Sequence, residues 1–188
     1  MRTLLIGIDS GTQSTKALVV DARDGKVVGA ASQAYDLIPN LPPGAKEQHP
    51  HTWRDATAAA IRSALRQAKA VAADVAAIGV SGQQHGFVPL DKAGEVIRPA
   101  KLWCDTSTTA ECEEITEKLG GAKKSTEARG NAVLPGAPAP KSLWLKSPEP
   151  KNFARLATVM LAHDYLNFWL TGECVMEYGD ASGTALLN

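Results

Sequence analysis

Ile6-Gly7-Ile8-Asp9-Ser10-Gly11-Thr12-Gln13-Ser14-Thr15-Lys16-Ala17-Leu18-Val19-Val20-Asp21 decides how this chain folds. An apolar run ends in a lone carboxylate and a turn of small, hydroxyl-bearing residues, and a second β-branched run follows at once. The pattern predicts a β-hairpin whose tip is too small to pack against anything. Gly11 is placed to bring its backbone N–H close to a ligand, and Ser10, Thr12 and Ser14 offer hydroxyls. Donors curved around a tight turn form an anion-binding concavity, and Asp9 beside it suits a hydrated cation. The joint expectation is a nucleotide-phosphate site, with an ordinary hairpin carrying a turn glycine as the competing reading.

Outward from the hairpin, residues 4–8 and 17–20 read as buried strands, Asp24-Gly25 as a turn and residues 27–33 as the third strand of a meander. Residues 38–50 read as loop. Thr52 and Asp55 have capping-box spacing ahead of a long helix, along which Trp53, Ala56, Ala60, Ile61, Ala64, Leu65 and Ala68 recur at helical intervals. Residues 75–80 and 87–90 are expected strands, with a turn at 91–94. A helix over 108–119 ends at Gly120-Gly121. From Lys123 the texture becomes loop-rich, broken by Pro135, Pro138 and Pro140, with a short helix around 143–145 and another over 162–170 ended by Thr171-Gly172. Strands alternating with helices predict an α/β layered domain.

With 188 residues, 20 Lys and Arg against 20 Asp and Glu, and no basic run, nothing suggests a nucleic-acid or membrane surface. The three cysteines, Cys104, Cys112 and Cys174, form no CxxC pair and suit a reduced, cytoplasmic setting. Met1-Arg2-Thr3 leads straight towards a strand without the apolar region of a signal peptide. No apolar run approaches the ~20 residues of a membrane helix. The phosphate-loop pattern GxxxxGK[ST] and the dinucleotide pattern GxGxxG are both absent, as are HExxH and GxSxG.

Two further clusters carry polar chemistry. Ser81-Gly82-Gln83-Gln84-His85-Gly86 follows an expected strand, and its amides and imidazole suit a polyhydroxylated ligand, unless it is simply a polar turn. In Trp103-Cys104-Asp105 an aromatic face could back a sugar ring and a carboxylate could bind hydroxyls; core packing plus a helix cap is the alternative. Gly130-Asn131 and Asp180-Ala181-Ser182-Gly183-Thr184 are further small, polar clusters, the second equally readable as a turn into Ala185-Leu186-Leu187.

Gly7-Ile8-Asp9-Ser10-Gly11-Thr12 resembles the first phosphate hairpin of the sugar kinase, heat-shock and actin superfamily. Together with the Ser81–Gly86 cluster it is joined by Arg98-Pro99-Ala100-Lys101-Leu102-Trp103-Cys104-Asp105-Thr106, Ala139-Pro140-Lys141-Ser142-Leu143-Trp144-Leu145 and Asp180-Ala181-Ser182-Gly183-Thr184. In order and spacing these are similar to the amino-terminal lobe of the FGGY carbohydrate kinases, most closely the xylulokinase branch, over essentially the whole chain. The resemblance implies an α/β domain of the ribonuclease-H-like, actin-like ATPase type, a mixed sheet flanked by helices in which a three-strand meander is joined by later parallel strands. Residues 1–188 would be one sugar-binding domain. It implies ATP and Mg²⁺ as cofactors, with Asp9 orienting the metal and the phosphates and Gly11, Thr12 and Gln13 under the transferring phosphate. Gln84 and His85 match the pair that binds the ketose, Trp103 and Asp105 match residues lining the sugar pocket, and Asn131 would approach the sugar. Cys104 departs from the Asn of many bacterial relatives. The family's general base is an Asp in a later part of the chain, in a carboxyl-terminal lobe expected beyond residue 188, so the lobe alone would be inactive; the full-length enzyme would be a cytoplasmic homodimer. Kinases of ribulose, gluconate, glycerol or another polyol, and a non-catalytic actin-like nucleotide switch, are the alternatives.

Overall fold

The computed structural model describes residues 2–186, so Met1 and Leu187 from the readings above lie outside them. The described residues fall into two compact units, residues 2–37 with 51–83, and residues 38–50 with 84–186.

The first unit is built on the hairpin. Strands β1 (Leu4–Ser10) and β2 (Ser14–Asp21) pair antiparallel from Leu4 opposite Asp21 to Ser10 opposite Thr15. β3 (Val27–Ala34) continues the meander after a turn in which Gly25 has φ 70°. β5 (Val75–Gly82) joins the other side of β1 in parallel, giving the order β3-β2-β1-β5. Burial along β1 alternates strictly: Leu4, Ile6, Ile8 and Ser10 are buried while Leu5, Gly7 and Asp9 are exposed. That is the period-two signature of a sheet covered on one face.

Helix α1 (Pro50–Gln67) supplies the cover. Ala60, Ala64 and Ala68 form one core cluster with Leu4, Ile6, Ile8, Ala17 and Val19. Alanine at every fourth residue leaves the helix almost smooth, so the sheet approaches closely. At Gly29 of β3 an added Cβ would fall 2.2 Å from the Ala64 carbonyl oxygen, which is why this position carries no side chain. The helix begins at Pro50, two residues before Thr52, so the expected capping box lies inside it.

In the second unit β4 (Glu47–Gln48) pairs antiparallel with β7 (Ala100–Lys101), and β6 (Val88–Leu90) with β8 (Thr158–Met160). Among the described residues the meander is therefore joined by one parallel strand, β5, rather than by several, because the later strands are two or three residues long and pair with each other. Helices α2 (Thr109–Lys118), α3 (Ala122–Arg129), α4 (Pro138–Lys146), α5 (Pro150–Arg155), α6 (Ala162–Thr171) and α7 (Tyr178–Ser182) complete the unit. The expected loop from Lys123 is a correction. Only Ser125 of α3 is buried, so the helix has no apolar stripe to betray it. Pro138 and Pro140 stand in the first turn of α4, where backbone N–H groups have no partner within the helix, so neither breaks it.

Gly29→Ala is expected to lower the unfolding free energy by about 1–3 kcal/mol through overpacking against the Ala64 carbonyl. Gly79→Ala on β5, where an added Cβ meets nothing within 4 Å, should stay within about 0.5 kcal/mol of wild type. Urea unfolding of the two variants checks both.

Candidate active site

At the tip of the hairpin the Gly11 N–H donates to the Ser14 carbonyl at 3.0 Å, closing the turn on itself. Tyr35 braces it from below: its hydroxyl donates to the Gly11 carbonyl at 2.7 Å and lies 3.1 Å from Thr15 Oγ1 and 3.3 Å from Ser10 Oγ. Ser10 and Thr15 hydroxyls meet at 3.1 Å and both residues are fully buried. Burial raises the pKa of Tyr35, so its phenol stays protonated as a donor. Thr12 Oγ1 donates to Gln83 Oε1 at 3.2 Å, and the Gln83 N–H to the Ser10 carbonyl at 2.9 Å. Two sequence expectations are corrected here. The Ser10 hydroxyl points into the hydroxyl cluster rather than to a ligand, and the Gly11 N–H closes the turn. Asp9 and Gln13 are exposed, with Gly11 and Thr12 half-buried between them.

Mg²⁺ keeps much of its water and binds through one or two carboxylates plus phosphate oxygens. Among the described residues no group of three or more His, Cys, Asp or Glu could hold a metal. The single exposed carboxylate of Asp9 fits an ion that arrives with its phosphates, not one caged by the protein.

The second unit holds a pocket of about 460 Å³ whose lining includes Gln84, His85, Trp103, Asn131, Leu134 and Gly183. Gln84, His85, Trp103 and Asn131 were expected at a sugar site, and the fold brings all four onto one wall system. Trp103 is 45% exposed, leaving ring surface to meet a ligand. His85 has φ 53°, a left-handed conformation that non-glycine residues rarely adopt. Its N–H donates to Asp180, 3.1 Å from Oδ2, and its Nδ1 lies 2.6 Å from Asp180 Oδ1 in a close contact off the line of a hydrogen bond. Gly183 faces the imidazole, and a Cβ there would fall 2.0 Å from His85 Cε1. Glu177 caps α7, accepting from the Gly179 and Asp180 N–H groups, and so holds the Asp180 segment in place.

Asp105 is a correction. It is fully buried, and its carboxylate accepts from the Lys46 N–H (2.8 Å), Lys101 Nζ (3.1 Å), and the Ser107 N–H and hydroxyl (3.0 and 2.6 Å). With four donors around it the group has no face for a sugar. It brackets the loop that carries Trp103 instead. The same loop rests on a buried ionic cluster in which Arg98 bonds Glu47 at 2.8 Å and Glu149 at 3.1 Å, while Lys101 Nζ stands 4.1 Å from the centre of the Trp144 ring.

Residues 4–188 match the N-terminal domain of the FGGY family of carbohydrate kinases. The chain belongs to that family. It is 44% identical to the xylulose kinase of Haemophilus influenzae over 185 residues, which are 96% of this chain and 37% of that protein. Among solved structures, the xylulose kinase of Rhodospirillum rubrum superposes with a TM-score of 0.89 at 31% identity, over 98% of this chain and 37% of that one. The gluconate kinase of Lactobacillus acidophilus superposes with a TM-score of 0.89 at 29% identity, over 100% of this chain and 37% of that one. The chain thus spans little more than a third of the length of the curated relatives it matches. The β3-β2-β1-β5 sheet with its flanking helix is the actin-like ATPase fold of these FGGY kinases.

Three residues around the pocket went unassigned in the sequence. Asp180, Gly183 and Lys141 stand inside the quoted 180–184 and 139–145 clusters, but only folding shows what they touch. Burial pushes the Lys141 ammonium down to about 7, opposed first by the Asp105 carboxylate. The unfolded chain therefore holds more protons on this side chain between about 7 and 10.5. Its cost to folding is full below about 7 and fades as pH rises. Wild type should gain stability relative to Lys141→Met between pH 7 and 10.5, read as a difference in urea midpoints across that range.

Proposed function

We propose that this chain is the sugar-binding part of an ATP-dependent kinase that converts D-xylulose to D-xylulose 5-phosphate. The observation that carries the reading is the shared pocket of Gln84, His85, Trp103 and Asn131, amides and an imidazole around an aromatic face. Such a set recognises hydroxyls in several orientations without requiring a charge on the ligand. The xylulose kinases among the relatives support the same sugar.

In this reading the γ-phosphoryl group of ATP passes to the terminal hydroxyl of the ketose, leaving ADP. The hairpin of Gly11, Thr12 and Gln13 would lie under that phosphoryl group, and Asp9 would hold Mg²⁺. Bound Mg²⁺ supplies neutralisation of phosphate charge. The pocket lining of the described residues offers no carboxylate to accept the hydroxyl proton. The family's base, an Asp of the carboxyl-terminal lobe, fills that role in the full-length protein, and residues 1–188 alone are expected to turn over little substrate. A cytoplasmic setting without nucleic-acid or membrane partners is carried as part of the same proposal; no described helix is long and apolar enough to cross a membrane. A homodimer is carried from the family resemblance.

A gluconate kinase superposes equally well, which makes an acidic sugar the second reading. Gluconate carries a carboxylate, whereas the pocket lining among the described residues contains no Lys or Arg. A neutral ketose fits better.

Isothermal titration of this chain should show D-xylulose binding more tightly than D-ribulose, gluconate or glycerol; a preference for gluconate would favour the second reading. In the full-length kinase, His85→Ala should raise the ketose KM by about tenfold, through loss of one buried polar contact, with the ATP KM little changed. Asp9→Ala should lower kcat by on the order of 10²-fold with the fold retained by circular dichroism.

A further inference from the structure

Lys141 is a buried cation that the proposed phosphoryl transfer does not use. Its side chain is fully buried, and its Nζ donates to the carbonyls of His85 at 2.9 Å, Leu102 at 2.8 Å and Gly136. An ammonium has three protons and no acceptor, so the three carbonyls match its donors one for one. The acceptors lie 56, 39 and 5 residues away along the chain. Each belongs to a different segment, and each segment supplies pocket wall: Gln84 and His85 in the first, Trp103 beside Leu102 in the second, Leu134 and Gly136 in the third.

Other bonds join these segments two at a time, the Phe87 N–H donating to the Lys101 carbonyl at 2.8 Å and the Thr108 hydroxyl to the Pro135 carbonyl at 3.0 Å, whereas Lys141 gathers all three at one point. The first carries a left-handed His85, the second is a loop after the two-residue β7, and the third precedes α4. Lys141 itself sits on α4 among the buried residues Pro138, Ala139, Pro140 and Leu145, a firm base for a tether. Bonds from a charged donor are roughly twice as strong as neutral ones, and removing the donor would leave three carbonyls to find other partners. Burial also works against the charge, so an apolar residue here would relieve a desolvation cost. A chain that keeps the ammonium gains geometry from it.

We propose that Lys141 is a positioning residue of the sugar pocket, tying the His85, Trp103 and Gly136 segments to one buried point and so setting the spacing between the groups that grip the ketose. The tether follows from the hydrogen bonds alone; its consequence for the ketose rests on the function proposed above. A point charge with three radiating protons suits three converging carbonyls, where the planar fork of arginine would not.

Hydrogen–deuterium exchange on the 188-residue chain tests it, comparing wild type with Lys141→Met, which removes the ammonium and keeps the length of the stem. Exchange at amides of residues 84–86, 102–105 and 134–137 should rise by about tenfold or more, while β1 and β2 keep wild-type protection. D-Xylulose binding by isothermal titration should weaken by about tenfold. Unchanged exchange in the three segments, or an equal rise throughout the chain, overturns the tether, and unchanged ketose affinity beside local loosening overturns its role in the pocket. A wild type that binds no ketose, with local loosening in the variant, supports the tether and overturns the sugar assignment instead. Should Lys141→Met not fold, ¹⁵N-lysine NMR of the wild type decides: a slowly exchanging buried ammonium signal supports the tether, and a Lys141 signal exchanging as fast as surface lysines overturns it.

Discussion

β1 is held on both edges, antiparallel to β2 and parallel to β5, and this double pairing governs the first unit. With its backbone bonded on two sides the strand cannot slip by one residue without turning Leu4, Ile6 and Ile8 out of the core they share with Ala60 and Ala64. The same parity that buries Ile8 and Ser10 leaves Asp9 exposed between them. The carboxylate proposed to serve the phosphates is thus placed outward by the packing demands of its neighbours. The register also brings Ser10 beside Gly82, and Gln83 bonds back to both Ser10 and Thr12 before the chain continues to Gln84 and His85.

The second unit solves a different problem. Its strands are too short to fix a site by ladders alone, and buried charge does the organising. Asp105 gathers Lys46, Lys101 and Ser107 under the Trp103 loop, Asp180 holds His85, and Lys141 holds three carbonyls. Removing one member of such a set leaves its partners buried and unpaired, which makes them strict about geometry even where they add little net stability. The carboxylates nearest the pocket are therefore structural members, while the groups left facing the cavity are amides, an imidazole and an indole. That division supports recognition of a neutral, hydroxyl-rich ligand.

Much of the fold was legible in the chain before folding. The alternation of residues 4–21, the Asp24-Gly25 turn, the alanine-rich stripe of α1 and the glycine that ends α6 each express a local preference strong enough to survive any context. The elements that were not legible lack such a signal. α3 is polar all round, α4 hides its start behind two prolines that a first turn tolerates, and β8 has three residues. At the site, residue type raised Gln84, His85 and Trp103 as candidates and the family resemblance singled them out, because amides, imidazole and indole are chemically suited to a sugar wherever they stand, and the fold sets all three on one pocket. Type alone left Asp105 open between a sugar contact and a structural role, and the family resemblance put it in the pocket lining. Folding turned both it and the Ser10 hydroxyl to partners inside the protein, since a carboxylate or hydroxyl serves a ligand or the protein's own backbone equally well.

The sequence by itself therefore determined the hairpin and the parity that exposes Asp9, which follow from period and turn chemistry along one stretch of chain, and, through the resemblance of five motifs spread over its length, the membership in a sugar-kinase family. Only the tertiary structure decided which polar groups remain available. Lys141 meets carbonyls as far as 56 residues away, and Asp180 meets His85 at a distance of 95 residues. Whether a buried donor finds its partner inside the protein depends on contacts between segments that no local pattern encodes.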